Sequence, residues 1–281
     1  MSDLPRVTYI ICHHNYDDYL EGAINSAQSQ TYPGQINICV IDDCSDNYEN
    51  ICNIINNTLF DGAPEVFLTD HDKPLNIAYK GNDRAIYIMD KAYGPSYARN
   101  RGIELMWDET DIFAILDADD ENYQDKIDQL VIPFIQSDEV GVVYADYHIL
   151  NVDTGSIVYE YKEPFDIFRL YKECIVHSGS LINKKALELV KDQFGFYDEE
   201  MRTCEDYDLW VRIADITNMS IIHVPEPLSL VRTHNRNSTN SVHNSIWNRN
   251  WARIRDKRSQ RVSNEHYRMH STSEKIHAGK K

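Results

Sequence analysis

Apolar positions along the chain follow two alternating patterns. Val7–Cys12 (VTYIIC) and Ile36–Ile41 (INICVI) are short, β-branched runs without a helical period, which predicts buried strands. Between them, Leu20, Ala23, Ile24 and Ala27 share one face of a helix predicted over Asp17–Gln30. The alternation continues with a helix over Tyr48–Leu59, strands at Glu65–Leu68 and Ile86–Met89, and a helix over Tyr97–Trp107. A strand at Ile112–Leu116, a helix over Tyr123–Ile135 and a strand at Val140–Tyr144 follow. Asp146–Tyr161 reads as a hairpin around Asp153-Thr154-Gly155, and Leu228–Val231 as a further strand. This order predicts an α/β domain over 1–240, with a mostly parallel central sheet flanked by helices. Asp70–Asp83 is long and polar for a connection, which marks an insertion at about 70–90 of functional or mobile character.

Ligands of such sheets bind outside the carboxyl ends of the strands. Three polar clusters sit there: His13-His14-Asn15, Asp42-Asp43-Cys44-Ser45 and Asp117-Ala118-Asp119-Asp120. Three acids within four residues repel one another, and carboxylates at strand ends cost free energy unless solvated, hydrogen-bonded or metal-bound. Helix capping would use one of them. A hard cation such as Mg²⁺ or Mn²⁺, held by one or two carboxylates plus substrate phosphates, accounts for the group. Further on, Glu205, Asp206 and Asp208 precede the apolar helical run Leu209, Trp210 and Ile213. One of these acids caps a helix; another is a candidate general base, a role that accelerates proton abstraction by roughly 10²–10⁴. Gly94-Pro95-Ser96 starts a helix whose terminal amides suit an anion. Arg99 and Arg101 lie on different faces of it, so one of the two points into the site. His234 follows a strand, a place from which a histidine either ligates a metal or phosphate or simply packs.

Composition narrows the setting. The 281 residues are 42% apolar and 26% charged, as in ordinary globular proteins. No run reaches the ~20 apolar residues of a membrane-spanning helix, and the short polar start predicts no secretory signal. Six scattered cysteines without a CxxC pair predict reduced thiols and a cytoplasmic setting. The net charge of −17 is uneven: residues 249–281 carry ten basic and three acidic side chains, leaving −24 for the rest. This basic extension, 241–281, is expected to be helical or partly disordered, with peripheral contact to an anionic membrane face as one use. The acidic body argues against a nucleic-acid duplex as partner.

Eight segments in order, VTYIICHHN, LEGAINSAQSQTY, ICVIDDCSD, GPSYARNRGIE, FAILDADDENY, HSGSLINKKAL, FGFYDEEMRTCEDYDLWVRI and LSLVRTHNRNST, resemble family 2 glycosyltransferases of the GT-A fold, especially bacterial surface-polysaccharide and spore-coat sugar transferases. The resemblance covers about residues 5–237. It implies an inverting, metal-dependent transfer from a nucleoside-diphosphate sugar, UDP first among the nucleotides, to an acceptor hydroxyl on a glycan, a lipid-linked sugar or another molecule. By position it assigns Cys12, His14, Asn15, Asp42, Asp43, Arg99 and Asp117 to the nucleotide sugar. Within that set, Asp43 or Asp42 contacts the base and Arg99 faces the diphosphate. Asp119, Asp120 and His234 go to Mn²⁺ or Mg²⁺, Asp206 to the base role and Glu205 to the acceptor pocket. His13-His14 departs from the family's small or aromatic pair, so His14 is a candidate for stacking on the base. The basic tail lies outside the resemblance, and trimming the chain after Asn248 is expected to spare activity. An inactive nucleotide-sugar binder is the alternative, and a nucleotidyltransferase a weaker one, since no glycine-rich phosphate loop follows the first strand. Homo-oligomerisation stays open.

Overall fold

The computed structural model describes residues 4–60, 77–81, 83–237 and 244–278. The strand expected at Glu65–Leu68 and most of the Asp70–Asp83 stretch lie outside the described residues.

Strands β1 (Val7–His13), β2 (Ile36–Asp42), β4 (Arg84–Ile88) and β5 (Ile112–Asp117) form a parallel block in the order β4-β2-β1-β5. A short strand, β9 (Leu181–Asn183), runs antiparallel to β5 and joins it to β7 (Val140–Asn151), which pairs in parallel with β10 (Ser220–Thr233). β3 (Ile77–Lys80) closes one edge as a hairpin with β4, and β6 (Glu121–Asn122) the other, on β10. The two faces of β1 explain the run VTYIIC. Tyr9 and Ile11 pack on one face of the sheet and Ile10 on the other, all fully buried. A central parallel strand covered on both faces has no polar side to show.

Helix α1 (Asp17–Gln28) packs the predicted face Leu20, Ala23, Ile24 and Ala27 onto one side, beside α2 (Tyr48–Leu59), whose predicted bounds match. The other side is covered by α3 (Pro95–Leu105), α7 (Lys184–Phe194) and α8 (Glu205–Ile216). Three expectations change. The single helix over Tyr123–Ile135 is instead β6 followed by α4 (Lys126–Leu130) and α5 (Ile132–Gln136). Pro133 lacks an amide proton and its ring would meet the carbonyl of Gln129, so the chain can only restart a helix there. β7 runs past the expected end at Tyr144 to Asn151, because it pairs with β8 (Ile157–Glu160) in the hairpin expected over Asp146–Tyr161, which turns at Gly155 with φ +70°. Part of the expected insertion loop is the strand β3. After α6 (Ile167–Leu170), the remaining long element is α9 (Asn244–Ala278), which packs against α8. None of the described helices is long and apolar enough to cross a membrane.

Register sets the site. β1 pairs Cys12 with Asp117 and His13 with Asp42, so the three strand-end clusters stand side by side. α3 lies close on this block. A Cβ on Gly102 would stand 2.7 Å from Ile10 Cγ2 and 3.2 Å from Ile41 Cγ1. Gly102→Ala is therefore expected to destabilise by about 1–2 kcal/mol in urea unfolding, overpacking outweighing the helix-propensity gain.

Candidate active site

The strand-end acids differ in what they already hold. Asp42, 1% exposed, accepts from His13 Nδ1 (2.8 Å) and from the Ser45 amide (3.1 Å) and hydroxyl. His13 Nε2 accepts from the Tyr16 amide, so its proton sits on Nδ1 and points at Asp42. This network fixes the turn from β1 into α1, and it leaves Asp42 buried beneath the surface of the site. Asp43 takes the Tyr93 and Gly94 amides, each at 2.7 Å, one per carboxylate oxygen. It thereby ties the end of β2 to the start of α3, where Gly94 has φ +103°. His14 is exposed above them, its Nδ1 2.8 Å from the Asp43 carbonyl oxygen, and Asn15 with φ +58° makes the bend to α1. Cys12 lies beside them in register with Asp117, its thiol pushed up to about 12 by burial.

Acids repel one another at the Asp117–Asp120 turn. Burial first, and then Asp117, raises the Asp119 carboxyl above its ordinary value; burial and both neighbours raise Asp120 well above it. Asp120 accepts from the Arg232 amide (2.8 Å), and the Arg232 guanidinium pairs with Glu121. Asp119 meets His234 Nε2 at 3.2 Å and Asn237 Nδ2 at 2.9 Å. His234 is itself stacked on the Tyr19 ring, centroids 5.2 Å apart, with Tyr16 edge-on at 5.4 Å. Asp119 and His234 thus converge from β5 and the end of β10. Asp120 turns the other way, so of the three residues the resemblance gave to the metal, two share a point. Among the described residues no three His, Cys, Asp or Glu side chains gather closely enough to hold a metal ion alone. Two protein ligands beside an under-compensated acid cluster fit a divalent ion that takes its other ligands from a bound diphosphate.

Arg99, 4% exposed, joins the halves of the site. One nitrogen pairs with Asp117 at 2.9 Å and the other with Glu205. Arg101 points away and pairs with Glu104. Asp206 follows Glu205 at the first turn of α8, its Oδ1 accepting from the Tyr207 amide at 2.7 Å. Burial, and next the Glu205 charge, push the Asp206 carboxyl up to about 7. Beneath the acids lies Lys126, 2% exposed, donating to Asn122 Oδ1, the Gly179 carbonyl and Ser229 Oγ at 2.8–2.9 Å. It lines a small cavity with Asp117, Asp120, His177 and Ser178, and burial lowers its ammonium to about 7.

Sequence reasoning found the acids and missed most of their partners. Lys126 and the rings of Tyr16 and Tyr19 come from α4 and the start of α1, whose spacing carries no signal for a strand-end site. Arg232 at the end of β10 and Asn237 were within reach, two residues before and three residues past His234 in the quoted segment LSLVRTHNRNST.

The model for the family described as Glycosyl transferase family 2 matches residues 8–188. A glycosyltransferase of Rickettsia typhi, itself uncharacterized, is 28% identical over 86% of this chain and 68% of its own length. One from Methanocaldococcus jannaschii is 24% identical over 78% of this chain and 69% of its own. Among solved structures, S. aureus TarS 1-349 in complex with UDP-GlcNAc superposes with TM-score 0.60 at 15% identity. That likeness covers 85% of this chain and 61% of the other, and the complex with UDP gives 0.58. The chain thus spans about three-fifths of these solved structures, and at such identity the likeness establishes the fold.

The raised Asp206 carboxyl has a consequence for stability. The native state binds its proton more tightly than the unfolded chain does, so this group costs stability as pH rises from about 4 through 7. Asp206→Asn is expected to raise stability by roughly 1–3 kcal/mol at pH 8 and by little at pH 3. Paired urea titrations at the two pH values check this.

Proposed function

The chain belongs to glycosyl transferase family 2, and from that premise we propose that it transfers a sugar from a UDP-sugar to an acceptor hydroxyl with inversion at the anomeric carbon. The observation that carries the reading is the half-buried Asp206 at the start of α8, linked through Glu205 and Arg99 to the strand-end acid Asp117. A base whose proton affinity lies near neutrality suits abstraction from a hydroxyl.

In this reading Asp43, Cys12, His14 and Asn15 receive the nucleotide. Asp43 is the base-contacting acid, because each of its oxygens keeps a lone pair after taking one amide, whereas Asp42 is committed to His13 and Ser45. His14, exposed at the rim, stacks on the base. Asp117 faces the ribose. Asp119 and His234 are the residues that would hold Mn²⁺ or Mg²⁺, an ion that neutralises the charge of the departing diphosphate when bound. Asp120 acts behind them through its bond to the Arg232 amide. Asp206 takes the acceptor proton as that oxygen bonds to the anomeric carbon and the bond to the diphosphate breaks. Glu205 lines the acceptor pocket, and Arg99 holds Glu205 and Asp117 in register rather than reaching for the diphosphate. The UDP and UDP-GlcNAc complexes of TarS support UDP as the nucleotide to test first. The sheet edge and α8 come from one domain, 1–240, and surface-polysaccharide assembly is the process this reading favours.

Calorimetric titration with UDP, GDP, dTDP and CDP, each with and without Mn²⁺, tests the donor side. UDP is expected to bind in a metal-dependent manner; no binding by any of the four would sink the reading in favour of an inactive relative. Asp119→Ala should remove the Mn²⁺ dependence of UDP binding. Asp206→Asn should cut UDP-sugar turnover by at least 10²-fold while UDP affinity stays within about twofold. The acidic limb of the wild-type kcat profile should have its midpoint near pH 7, activity falling below it as Asp206 takes up its proton.

A further inference from the structure

The α8 helix begins under strain. Cys204, the residue before Glu205, has φ +58° and ψ +17°, a left-handed conformation for a residue with a side chain, and no side-chain hydrogen bond caps the helix. Such a conformation is costly and persists only where its surroundings fix it. The direction in which Glu205 and Asp206 leave the turn depends on that residue, so whatever fixes Cys204 also aims the two acids.

What fixes it comes from the far end of the chain. Asn250 of α9, 2% exposed, donates through Nδ2 to both the carbonyl (2.9 Å) and the hydroxyl (2.8 Å) of Thr203, the residue before Cys204. The next residue, Trp251, packs its ring on Tyr207 with centroids 4.8 Å apart. Tyr207 supplies the amide that holds the Asp206 carboxylate, and its hydroxyl donates to the Leu170 carbonyl at 2.6 Å. Two adjacent residues of α9 therefore grip the chain on both sides of Glu205-Asp206. Farther along, Lys257, 5% exposed, reaches Asp198 at 2.5 Å and Asp208 at 3.0 Å, and Arg253 also takes Asp198 at 2.8 Å. Asp208 in turn is paired with the fully buried Arg212 one turn on. Arg261 closes the contact on Asp215 at 2.8 Å. Removing one partner from buried pairs such as these leaves an uncompensated charge, so undocking α9 from α8 is costly.

We infer that the first turns of α9 belong to the working site, with Asn250 and Trp251 as positioning residues that aim Asp206 and Glu205. The inference rests on the transferase reading. It reverses the expectation that the basic tail is dispensable from Asn248 onward: the segment 249–261 is an internal brace, and its Arg253, Lys257 and Arg261 answer Asp198, Asp208 and Asp215 rather than an external anion. This brace lies outside residues 8–188, the part matched by the family model.

The test compares the full chain with Asn250→Ala, Trp251→Leu and a chain ending after Arg261, using acceptor-independent hydrolysis of UDP-N-acetylglucosamine and UDP-glucose from pH 5 to 9. Thermal melts report the folded fraction. Asn250→Ala and Trp251→Leu should each lower kcat about tenfold or more per folded molecule, since misplacements near 1 Å can cost up to 10²-fold. Donor KM and UDP affinity should stay within twofold, and the midpoint of the acidic limb should move. The chain ending after Arg261 should match the full chain. If Asn250→Ala does not fold, Trp251→Leu carries the same test. An active wild type with unchanged kcat and pH midpoint in a folded variant overturns the positioning role and leaves the transferase reading standing. A wild type that hydrolyses neither sugar nucleotide overturns both.

Discussion

Carboxylates crowded at the carboxyl edge of one sheet are the constraint around which the rest of this protein is arranged. Asp117, Asp119 and Asp120 end β5, Asp42 and Asp43 end β2, and Glu205 and Asp206 are brought against them by α8. Burial, and next the repulsion of neighbouring carboxylates, raises the proton affinity of Asp119, Asp120 and Asp206. Two arginines are placed against particular acids, and one lysine lies among neutral oxygens beneath them. Arg99 spans Asp117 and Glu205, Arg232 pairs with Glu121 while its amide serves Asp120, and Lys126 lies below the group. The site is held together by opposite charge and stays short of neutrality, a condition that suits a cation bound together with a diphosphate.

Two acids that are neighbours in sequence do different work because their surroundings differ. Asp42 is closed over by His13 and Ser45, and Asp43 is half-committed to the start of α3. Glu205 is neutralised by Arg99, whereas Asp206 has the Tyr207 amide and the Glu205 charge as its near influences. In the proposed reading the same residue type therefore supplies a structural pin, a base contact and a proton acceptor, and only position within the fold separates them.

Charge read from sequence was misleading in one respect. A tail of net +7 beside a body of −24 suggests an external anionic partner. The structure gives much of that charge internal work: Arg253, Lys257 and Arg261 meet Asp198, Asp208 and Asp215 in buried or half-buried pairs. Part of the asymmetry is thus a docking code between two regions of one chain.

Strands β1, β2 and β5 and helices α1 and α2 were legible because buried central strands must be apolar throughout and surface helices must carry a stripe. The strand-end acids were legible for the same reason, since an acid directly after such a strand stands at the ligand edge. Local rules also explain the error at Tyr123–Ile135, where a helical pattern outweighed Pro133. Tertiary structure decided what periodicity does not encode: that β9 is inserted antiparallel between β5 and β7, that Asn237 and two tyrosine rings surround His234, and that Asn250 reaches Thr203 from 47 residues away. Hydrophobic pattern fixes which face of an element is buried; the partner that meets a polar group depends on how distant elements pack, and that information is spread over the whole chain.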